Sequence, residues 1–364
     1  FGEAKKPQQF FRTTAYFRPT ELIKINHLPE WKLRVAYGQA GIQPYSFLPY
    51  ARQLVLDVST VGTGGVGLTS PAQSRNPLLK LSKSNELEVG TDFTINTGWN
   101  TWLNKINIST SYWQRKVYDS YQFGDRSPST GFSQAIDNLT DLSSKGIDFT
   151  LDADVYQAYN FSWNSGIRVA QFKTKADKIA NGADVVTGIF ALKQGQNLGL
   201  FFTQTPLTSV DQLNADGDRY IDQADVSNYE MVNGMVVDKT TKKVMVTDPN
   251  DQRVMGAAYP KFNASLINNF TIGKNINIAM QWDWRYGNKI YNLTRQWLYR
   301  DRLSADYDQA VTIDGQSGAY VNFYNSLYNS VSPISWFVES GSMMRLRDLS
   351  ITYNLGNQYR PHWM

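Results

Sequence analysis

The chain has 364 residues, of which 13% are aromatic, including 21 tyrosines and 10 tryptophans. It contains no cysteine, which excludes disulfides and thiolate metal sites. The net charge of +4 is modest and no basic tract is present, which argues against a nucleic-acid partner. The sequence contains no run of about 18 apolar residues, so no transmembrane helix is predicted.

Alternation of apolar and polar residues recurs along the chain and predicts β-strands. In chain order the segments are 9–18, 31–38, 86–95, 105–113, 147–155, 161–170, 262–270, 275–286 and 349–355. The first is the weakest, and the last follows a bulge that we expect near Asp348. Segment 275–286 is the longest, and Trp282, Trp284 and Tyr286 end its apolar face. Its length suits a tilted bilayer crossing of about 9–11 residues better than a soluble strand.

Short and long connections alternate between these strands. The links 96–104, 156–160 and 271–275 are short, whereas 39–83, 116–145, 171–260 and 287–343 are long. Bacterial transmembrane barrels have short periplasmic turns and long extracellular loops. The pattern therefore favours an all-β fold, a transmembrane antiparallel β-barrel with long extracellular loops.

A soluble β-sandwich is the alternative, because a second sheet could cover the same apolar faces. The corresponding function would be that of a surface-exposed, calcium-stabilised β-sheet protein for glycan binding or adhesion. Such a protein would be soluble without detergent.

Several motifs resemble those of one protein family, the SusC/RagA family of TonB-dependent outer-membrane transporters of Bacteroidetes. The most specific is segment 335–353, which contains Gly341, Arg345 and Leu346 and is similar to the family's "fvedGsflRlknltlgY" strand. The other matching segments occur in the same order as in the family, at 33–41, 112–116, 145–151 and 286–292.

The resemblance implies that residues 1–364 are part of the barrel domain and cover the later strands of a large barrel. The signal peptide, plug and TonB box of the family are expected to lie outside this chain, and so are the last strands, because residues 359–364 do not alternate. An unclosed sheet would leave unpaired strand edges in lipid, which also predicts that this is part of a larger barrel.

The resemblance further implies a function and a set of partners. The protein is expected to import oligosaccharides or peptides across the outer membrane into the periplasm. Its expected partners are outer-membrane lipid, a SusD-like surface lipoprotein and the TonB–ExbB–ExbD complex, reached through the missing N-terminal part. A dimer of such SusCD pairs is a further expectation, and none of these roles requires a cofactor or covalent chemistry.

An acidic segment at 214–225 resembles an EF-hand calcium loop, because calcium requires several oxygen ligands from one short loop. Arg219 replaces the usual glycine at position 6, and an aspartate replaces the longer glutamate at position 12. A solvated acidic turn is the alternative. The candidate calcium ligands are Asn214, Asp216, Asp218, Tyr220 (through its carbonyl), Asp222 and Asp225.

Aromatic residues crowd the 287–343 connection and are candidates for stacking on sugar rings or packing against peptide side chains. The alternatives are packing within the loop and contact with a partner protein. The candidate ligand-binding residues are Trp297, Tyr299, Tyr307, Tyr320 and Tyr324.

Catalysis is not expected. Asp148, Asp152 and Asp154 share one face of a strand, and a carboxylate pair can hydrolyse glycosides. However, the lumen-facing side of a barrel strand is polar for structural reasons alone. The two histidines lie in neither a metal-ligand nor a triad-like spacing.

Overall fold

A computed structural model describes residues 8–43, 57–61, 65–69, 73–74, 76, 78–182, 184–330 and 332–355. The tail segment 359–364 lies outside these ranges. The helices are α1 (Pro19–Leu22), α2 (Leu293–Arg300) and α3 (Val321–Asn325), with short 3-10 turns at Pro128–Thr130, Ala180–Gly182, Val226–Asn228, Ala305–Asp308 and Ser335–Phe337. No helix in the described part of the chain has the length and hydrophobicity to span a bilayer.

β-strands make up most of the described structure. In chain order they are β1 (Arg12–Phe17), β2 (Glu30–Ile42), β3 (Asp57–Val61), β4 (Gly65–Thr69), β5 (Gln73–Ser74), β6 (Ser82–Asn96), β7 (Lys105–Asp125), β8 (Gln134–Ala158), β9 (Phe161–Ile179), β10 (Val185–Thr187), β11 (Phe190–Leu192), β12 (Leu200–Thr203), β13 (Tyr229–Val232), β14 (Met235–Asp238), β15 (Arg253–Ala257), β16 (Phe262–Ile272), β17 (Ile276–Tyr286), β18 (Lys289–Tyr291), β19 (Val311–Ile313), β20 (Gln316–Gly318), β21 (Val338–Ser340) and β22 (Met343–Tyr353).

One large sheet dominates the molecule. Its strand order is β1-β2-β6-β7-β8-β9-β16-β17-β22, and every neighbouring pair in this row is antiparallel. The short strand β5 adds a parallel pairing to β8. The nine predicted strands and the all-β fold are therefore confirmed. The expected bulge near Asp348 is also present, where the β17–β22 register shifts beside Gln281 and Trp282.

One face of this sheet is apolar across its whole width. Cross-strand register aligns one apolar residue from each of eight strands in a single row: Trp31, Phe93, Ile108, Leu151, Ile167, Leu266, Trp282 and Leu346. We call this face the apolar belt. Large side chains within it stay exposed, including Val89, Ile147 and Leu266 at 50%, 48% and 39%.

Aromatic residues border the apolar belt at both ends. Near the short turns, Phe270 stacks on Trp163 with ring centroids 5.8 Å apart. At the opposite end, Phe262 meets Trp284 edge-on at 4.9 Å. Phe262 and Phe270 lie roughly 26 Å apart along β16, at about 3.3 Å per residue. That span is close to the apolar band of about 25 Å between the aromatic girdles of outer-membrane barrels.

No second sheet covers the apolar belt in the described residues, since the other sheets have four or two strands and belong to the connections. This finding counts against a β-sandwich, in which the belt would be buried. In the described part of the chain, β1 and β22 do not pair with each other, so both outer edges of the sheet are open.

The two ends of the sheet differ. At the end that we call the turn end, short links join β6 to β7, β8 to β9 and β16 to β17. At the other end, the loop end, the connections are longer, as predicted, with one exception. The prediction of a long loop at 116–145 is wrong. Strands β7 and β8 continue beyond the predicted segments as a paired hairpin, so the connection between them consists only of residues 126–133. Two register shifts and a left-handed Asp119 (φ 56°) break the alternation there.

The two connections at 180–261 and 287–342 fold together into one unit, which we call the loop module. Its hydrophobic core combines residues from both connections: Val232, Met235, Val237, Val244, Tyr299, Tyr307, Val311, Ile313, Phe323, Tyr324, Leu327 and Phe337. Hydrogen bonds also join them, from Val244 N to Ser326 Oγ at 2.8 Å and from Gln204 N to Pro333 O at 2.9 Å. The side chain of Asn292 accepts a hydrogen bond from Arg295 N and caps helix α2.

Candidate functional site

The face of the sheet opposite the apolar belt is polar and carries paired charges. Arg34 is its most connected cation. It contacts Glu88 at 3.3 Å and Asp92 at 2.9 Å, and it donates hydrogen bonds to Ser109 and Ser111 at 3.3 and 3.0 Å. The ion pairs to β6 and the hydrogen bonds to β7 hold Arg34 across three strands, so its charge is balanced by the two carboxylates.

Gly90 makes room for the Arg34 guanidinium. A Cβ at position 90 would lie 2.8 Å from Arg34 Nη2, closer than ordinary contact. A larger residue at this position would push the end of the Arg34 side chain aside and disturb its contacts.

Two of the three carboxylates considered for catalysis are also engaged. Trp113 Nε1 donates to Asp148 Oδ2 at 2.9 Å, and Arg168 donates to Asp152 Oδ1 at 2.6 Å. Across the sheet, Asp283 accepts from Ser265 and Arg347 at 2.9 and 3.0 Å. These partners fit a structural role in a polar wall.

The structure separates the five aromatic residues predicted to bind ligand. Three of them, Tyr299, Tyr307 and Tyr324, have exposures of 0%, 9% and 5% and lie in the core of the loop module. Their prediction as ligand contacts is corrected: burial against each other leaves no ring face for a ligand. Trp297 is 52% exposed on α2, and Tyr320 is half-buried at the edge of the core. For these two residues ligand contact stays a prediction.

Tyr299 is at the centre of a hydrogen-bonded network. Its hydroxyl donates to Asp306 Oδ2 at 2.6 Å and accepts from Trp336 Nε1 at 2.9 Å. Arg295 also donates to Asp306 at 3.0 Å and to Glu339 at 3.2 Å. Burial raises the pKa of Tyr299, and the hydrogen bond to Asp306 raises it further. This network fixes α2 against the segments that precede β22.

The pKa of Asp306 makes the loop module sensitive to acid. Burial alone would raise this pKa, but the hydrogen bonds from Tyr299 and Arg295 outweigh it and lower the pKa. Asp306 therefore stabilises the module above the ordinary aspartate pKa of about 3.9, and the contribution is lost as pH falls through the lowered value. We expect digestion of the module by pepsin to increase as pH falls below about 4. Above about pH 4, the variant Asp306→Asn should be digested faster than the wild type, because it already lacks the carboxylate. Its digestion rate should then depend less on pH. The same pH dependence in both proteins would contradict this assignment.

The predicted calcium loop is a compact turn. Asn214 Oδ1 accepts hydrogen bonds from the backbone N–H groups of Asp216 and Asp218 at 3.0 and 2.9 Å. Ile221, at the apolar position of the motif, is 2% exposed in a second small core with Leu207 and Val236. In the described residues no three or more acidic or histidine side chains converge closely enough to hold a metal ion. The side chains of Asp216, Asp218, Asp222 and Asp225 are exposed, and calcium binding stays a prediction.

Two hairpins in the loop module were missed in the sequence, although their turns carry a recognisable signal. Asn233-Gly234 joins β13 to β14, and Asp314-Gly315 joins β19 to β20, all with positive φ. Asn-Gly and Asp-Gly between apolar residues are the strongest short-range signals of a two-residue hairpin. Recognising them would have predicted folded loops with a core of their own.

Comparison with known proteins finds similarity to TonB-dependent receptors. No protein-family model matches it. TonB-dependent receptor P26 of Formosa agariphila is 24% identical over 344 residues, which cover 90% of this chain and 33% of the relative. TonB-dependent receptor P3 of the same organism is 23% identical over 360 residues, or 92% and 33% of the two chains. The chain thus spans about a third of the length of these curated relatives, and neither name denotes an enzyme.

Solved structures with the same fold include those of a peptide importer. The RagAB peptide importer in its "closed-closed" state superposes with a TM-score of 0.70 and 15% identity, over 98% of this chain and 38% of that chain. Its "open-open" state gives 0.68 and 14%, over 98% and 37%. Together, these likenesses confirm the resemblance to SusC/RagA-type TonB-dependent transporters, the β-barrel type of fold and the outer-membrane location.

Proposed function

We propose that this chain, similar to TonB-dependent receptors over nine tenths of its length, forms part of the wall of an outer-membrane importer. The importer takes oligosaccharides or peptides into the periplasm. The observation that carries the proposal is the difference between the two faces of the sheet: an apolar belt bordered by aromatic rings on one, and paired charges on the other. The belt suits lipid, and the opposite face suits a hydrated passage for polar solutes.

The orientation follows from the connections. Short links belong on the periplasmic side and long loops on the extracellular side of such barrels. The loop module therefore faces the medium, where nutrients arrive. The energy for import comes from a TonB–ExbB–ExbD complex that acts on a part of the protein outside this chain, as in TonB-dependent receptors generally.

A SusD-like lipoprotein is proposed as the extracellular partner that captures ligand. Supporting it is an exposed apolar surface on and beside α2, formed by Leu293, Trp297, Leu298 and Leu303 with exposures of 49%, 52%, 39% and 71%. The Arg300 guanidinium lies 5.5 Å from the centre of the Trp297 ring. Exposed tryptophan and arginine side chains are enriched among the residues that dominate binding energy at protein interfaces. Trp297 and Tyr320 are also the remaining candidates for contact with the ligand.

Trp297→Ala provides a test of this surface. Interface tryptophans often contribute about 2 kcal/mol or more, so affinity for the lipoprotein should fall by at least about 30-fold. Affinity can be measured by biolayer interferometry with the two separately purified proteins. Trp99→Ala, which removes a tryptophan 60% exposed at the turn end, is the matched control and should leave affinity unchanged. Equal effects of the two substitutions would rule out this surface as the contact.

Calcium is proposed to stiffen the acidic loop rather than to take part in chemistry. Extracellular calcium modules bind with dissociation constants of about 10⁻⁴–10⁻³ M. Calcium in that range should slow trypsin cleavage after Arg219, and Asp216→Asn with Asp218→Asn should abolish the protection. Asp308→Asn, an exposed acid in the other connection, serves as the control. Cleavage at the same rate with calcium and with a chelator would leave the segment as a solvated acidic turn.

The import function is tested with the full-length protein in its native membrane. We expect an intact mass far above 41.3 kDa, a requirement for detergent and co-purification of a lipoprotein. A deletion strain should lose growth on one class of oligosaccharide or peptide and regain it with the wild-type gene. A detergent-independent protein of 41.3 kDa without a partner would instead support the adhesion alternative.

A further inference from the structure

A cleft of about 420 Å³ opens at the loop end of the wall. Strand β9 pairs with β16 only as far as Ala170 opposite Asn263, and then continues with a free edge on that side. Residues 171–174 of this edge form one side of the cleft, and segments 256–261 and 287–289 form the other. Leu198 N donates to Thr174 O at 2.9 Å and closes the end nearest the loop module.

The charge of the cleft has a single sign. Lys173, Lys261 and Lys289 line it, and none of its lining residues is acidic. None of the three lysines has a carboxylate within ion-pair distance in the described part of the chain, although Arg34, Arg168 and other cations of the polar face do. Two further clefts in the same sheet differ, since each contains aspartates that include Asp137 beside Arg126.

Two glycines allow the lysines to lie where they do. Gly287 has φ +82°, and a Cβ there would lie 2.7 Å from Lys261 Cγ. Gly256 has φ +115°, and a Cβ there would lie 2.8 Å from Lys289 Cγ. Any other residue would displace the aliphatic part of each lysine and strain the backbone. The positions of Lys261 and Lys289 are thus defined by close packing rather than left to free solvation.

The remaining lining residues suit an organic ligand with polar groups. Phe172 and Tyr259 meet edge to face, with ring centroids 6.0 Å apart. Gln171, Asn197 and Thr174 add side chains that can donate or accept hydrogen bonds. Phe172 and Lys261 continue the alternation of the polar face, on which Arg168 and Ser265 lie. Gln171 and Lys173 continue the alternation of the apolar belt, on which Ile147 and Ile167 lie. The cleft is therefore lined from both faces of the sheet, at the free edge of β9.

We propose that this cleft binds an anionic group, a carboxylate or sulfate, carried by the oligomers that the protein imports. Lys261 Nζ lies 6.0 Å from the centre of the Tyr286 ring, and none of the three lysines has a carboxylate partner in the described residues. Their ammonium groups can therefore donate charge-assisted hydrogen bonds to the anion, and the aromatic pair packs against the adjoining part of the ligand. The role in import rests on the proposed function. Binding of the anion itself does not, because the cleft is complete within the described residues.

Lysine reactivity tests the site without a known ligand. The full-length protein, purified in detergent with its partners, is acetylated with an amine-reactive ester in sodium sulfate or in sodium chloride of equal ionic strength. Mass spectrometry then gives the acetylation rate of each lysine. We expect sulfate to slow acetylation of Lys173, Lys261 and Lys289 several-fold and to leave Lys116, an exposed strand lysine outside the cleft, unchanged. Equal rates in the two salts at the cleft lysines overturn the proposal.

Matched variants locate the effect. In the double variant Lys261→Gln and Lys289→Gln, the affinity for sulfate measured through Lys173 should fall about tenfold, because two charge-assisted contacts are lost. Lys116→Gln should leave it unchanged. Undiminished protection of Lys173 in the double variant would overturn the site, and co-purification of the partner proteins verifies that the variants are folded.

Organic probes distinguish the source of the anion. Protection by trigalacturonate but not by neutral maltotriose assigns the cleft to acidic saccharides. Protection by triglycine but not by triglycinamide assigns it to peptide carboxylates. Protection by sulfate alone overturns the link to imported oligomers. Protection of the lysines from acetylation requires no transport. If the growth test failed while sulfate still protected the cleft lysines, the import function would be overturned and the anion site would not.

Discussion

Tyr299→Ala is expected to unfold the loop module while the sheet stays folded. The side chain is fully buried, packs edge-on against Phe337 at 5.2 Å and bonds to Asp306 and Trp336. Loss of a large buried aromatic side chain costs about 3–5 kcal/mol. Amide hydrogen exchange of residues 232–244 and 299–337 should accelerate by about two to four powers of ten. Exchange in β7, in β8 and in residues 161–170 of β9 should not change.

Two further tyrosine variants calibrate this result. Tyr299→Phe keeps the ring and removes only the hydroxyl, so its effect should be about 1–3 kcal/mol. Tyr159→Ala removes a ring that is 87% exposed at the turn end and should have no effect on the module. If Tyr299→Ala accelerated exchange equally in the module and in the sheet, the module would not be an independent packing unit.

Ile167→Lys is expected to impair assembly in the outer membrane. Ile167 lies in the row of apolar residues that crosses eight strands, between Leu151 and Leu266. A lysine on the lipid face near the middle of the bilayer costs about 2–4 kcal/mol. The amount of folded protein, measured in purified outer membranes by its resistance to unfolding in detergent without heating, should fall accordingly.

The control for this prediction lies on the same strand but on the other face. Asn164 belongs to the polar face and is paired with Asp154. Asn164→Lys should therefore be tolerated, since the added charge meets water and a neighbouring carboxylate. Equal loss of folded protein with both variants would mean that the apolar belt does not face lipid.

The sequence was sufficient to predict the sheet because each strand crossing obeys a simple rule. Where one face meets lipid and the other water, residues alternate, and the nine segments stand out for that reason. Beyond the crossing the rule no longer holds. In β7 and β8 the bulges near Val117 and Asp141 interrupt alternation, so the paired hairpin resembles a loop in the sequence.

The site was harder to predict because it depends on distant packing. Tyr299 and Tyr324 lie in a polar connection, where exposed aromatic residues that bind ligand have the same sequence signature as buried ones. Their burial requires Val237 and Val244, which belong to the other connection. The lysine cleft is formed in a similar way, since Lys173, Lys261 and Lys289 come from three different parts of the chain. No local pattern brings such residues together.

The shared core of the loop module also bears on how such a protein can acquire a new ligand specificity. Each of its two connections supplies residues that pack against the other, and the hydrogen bond from Val244 to Ser326 also joins them. A chimera that receives a single connection from a relative would join two unmatched halves and lose the core. Recombination, whether natural or designed, should therefore succeed when both connections are inherited together, and we expect new specificities to arise by exchange of the pair on a conserved wall.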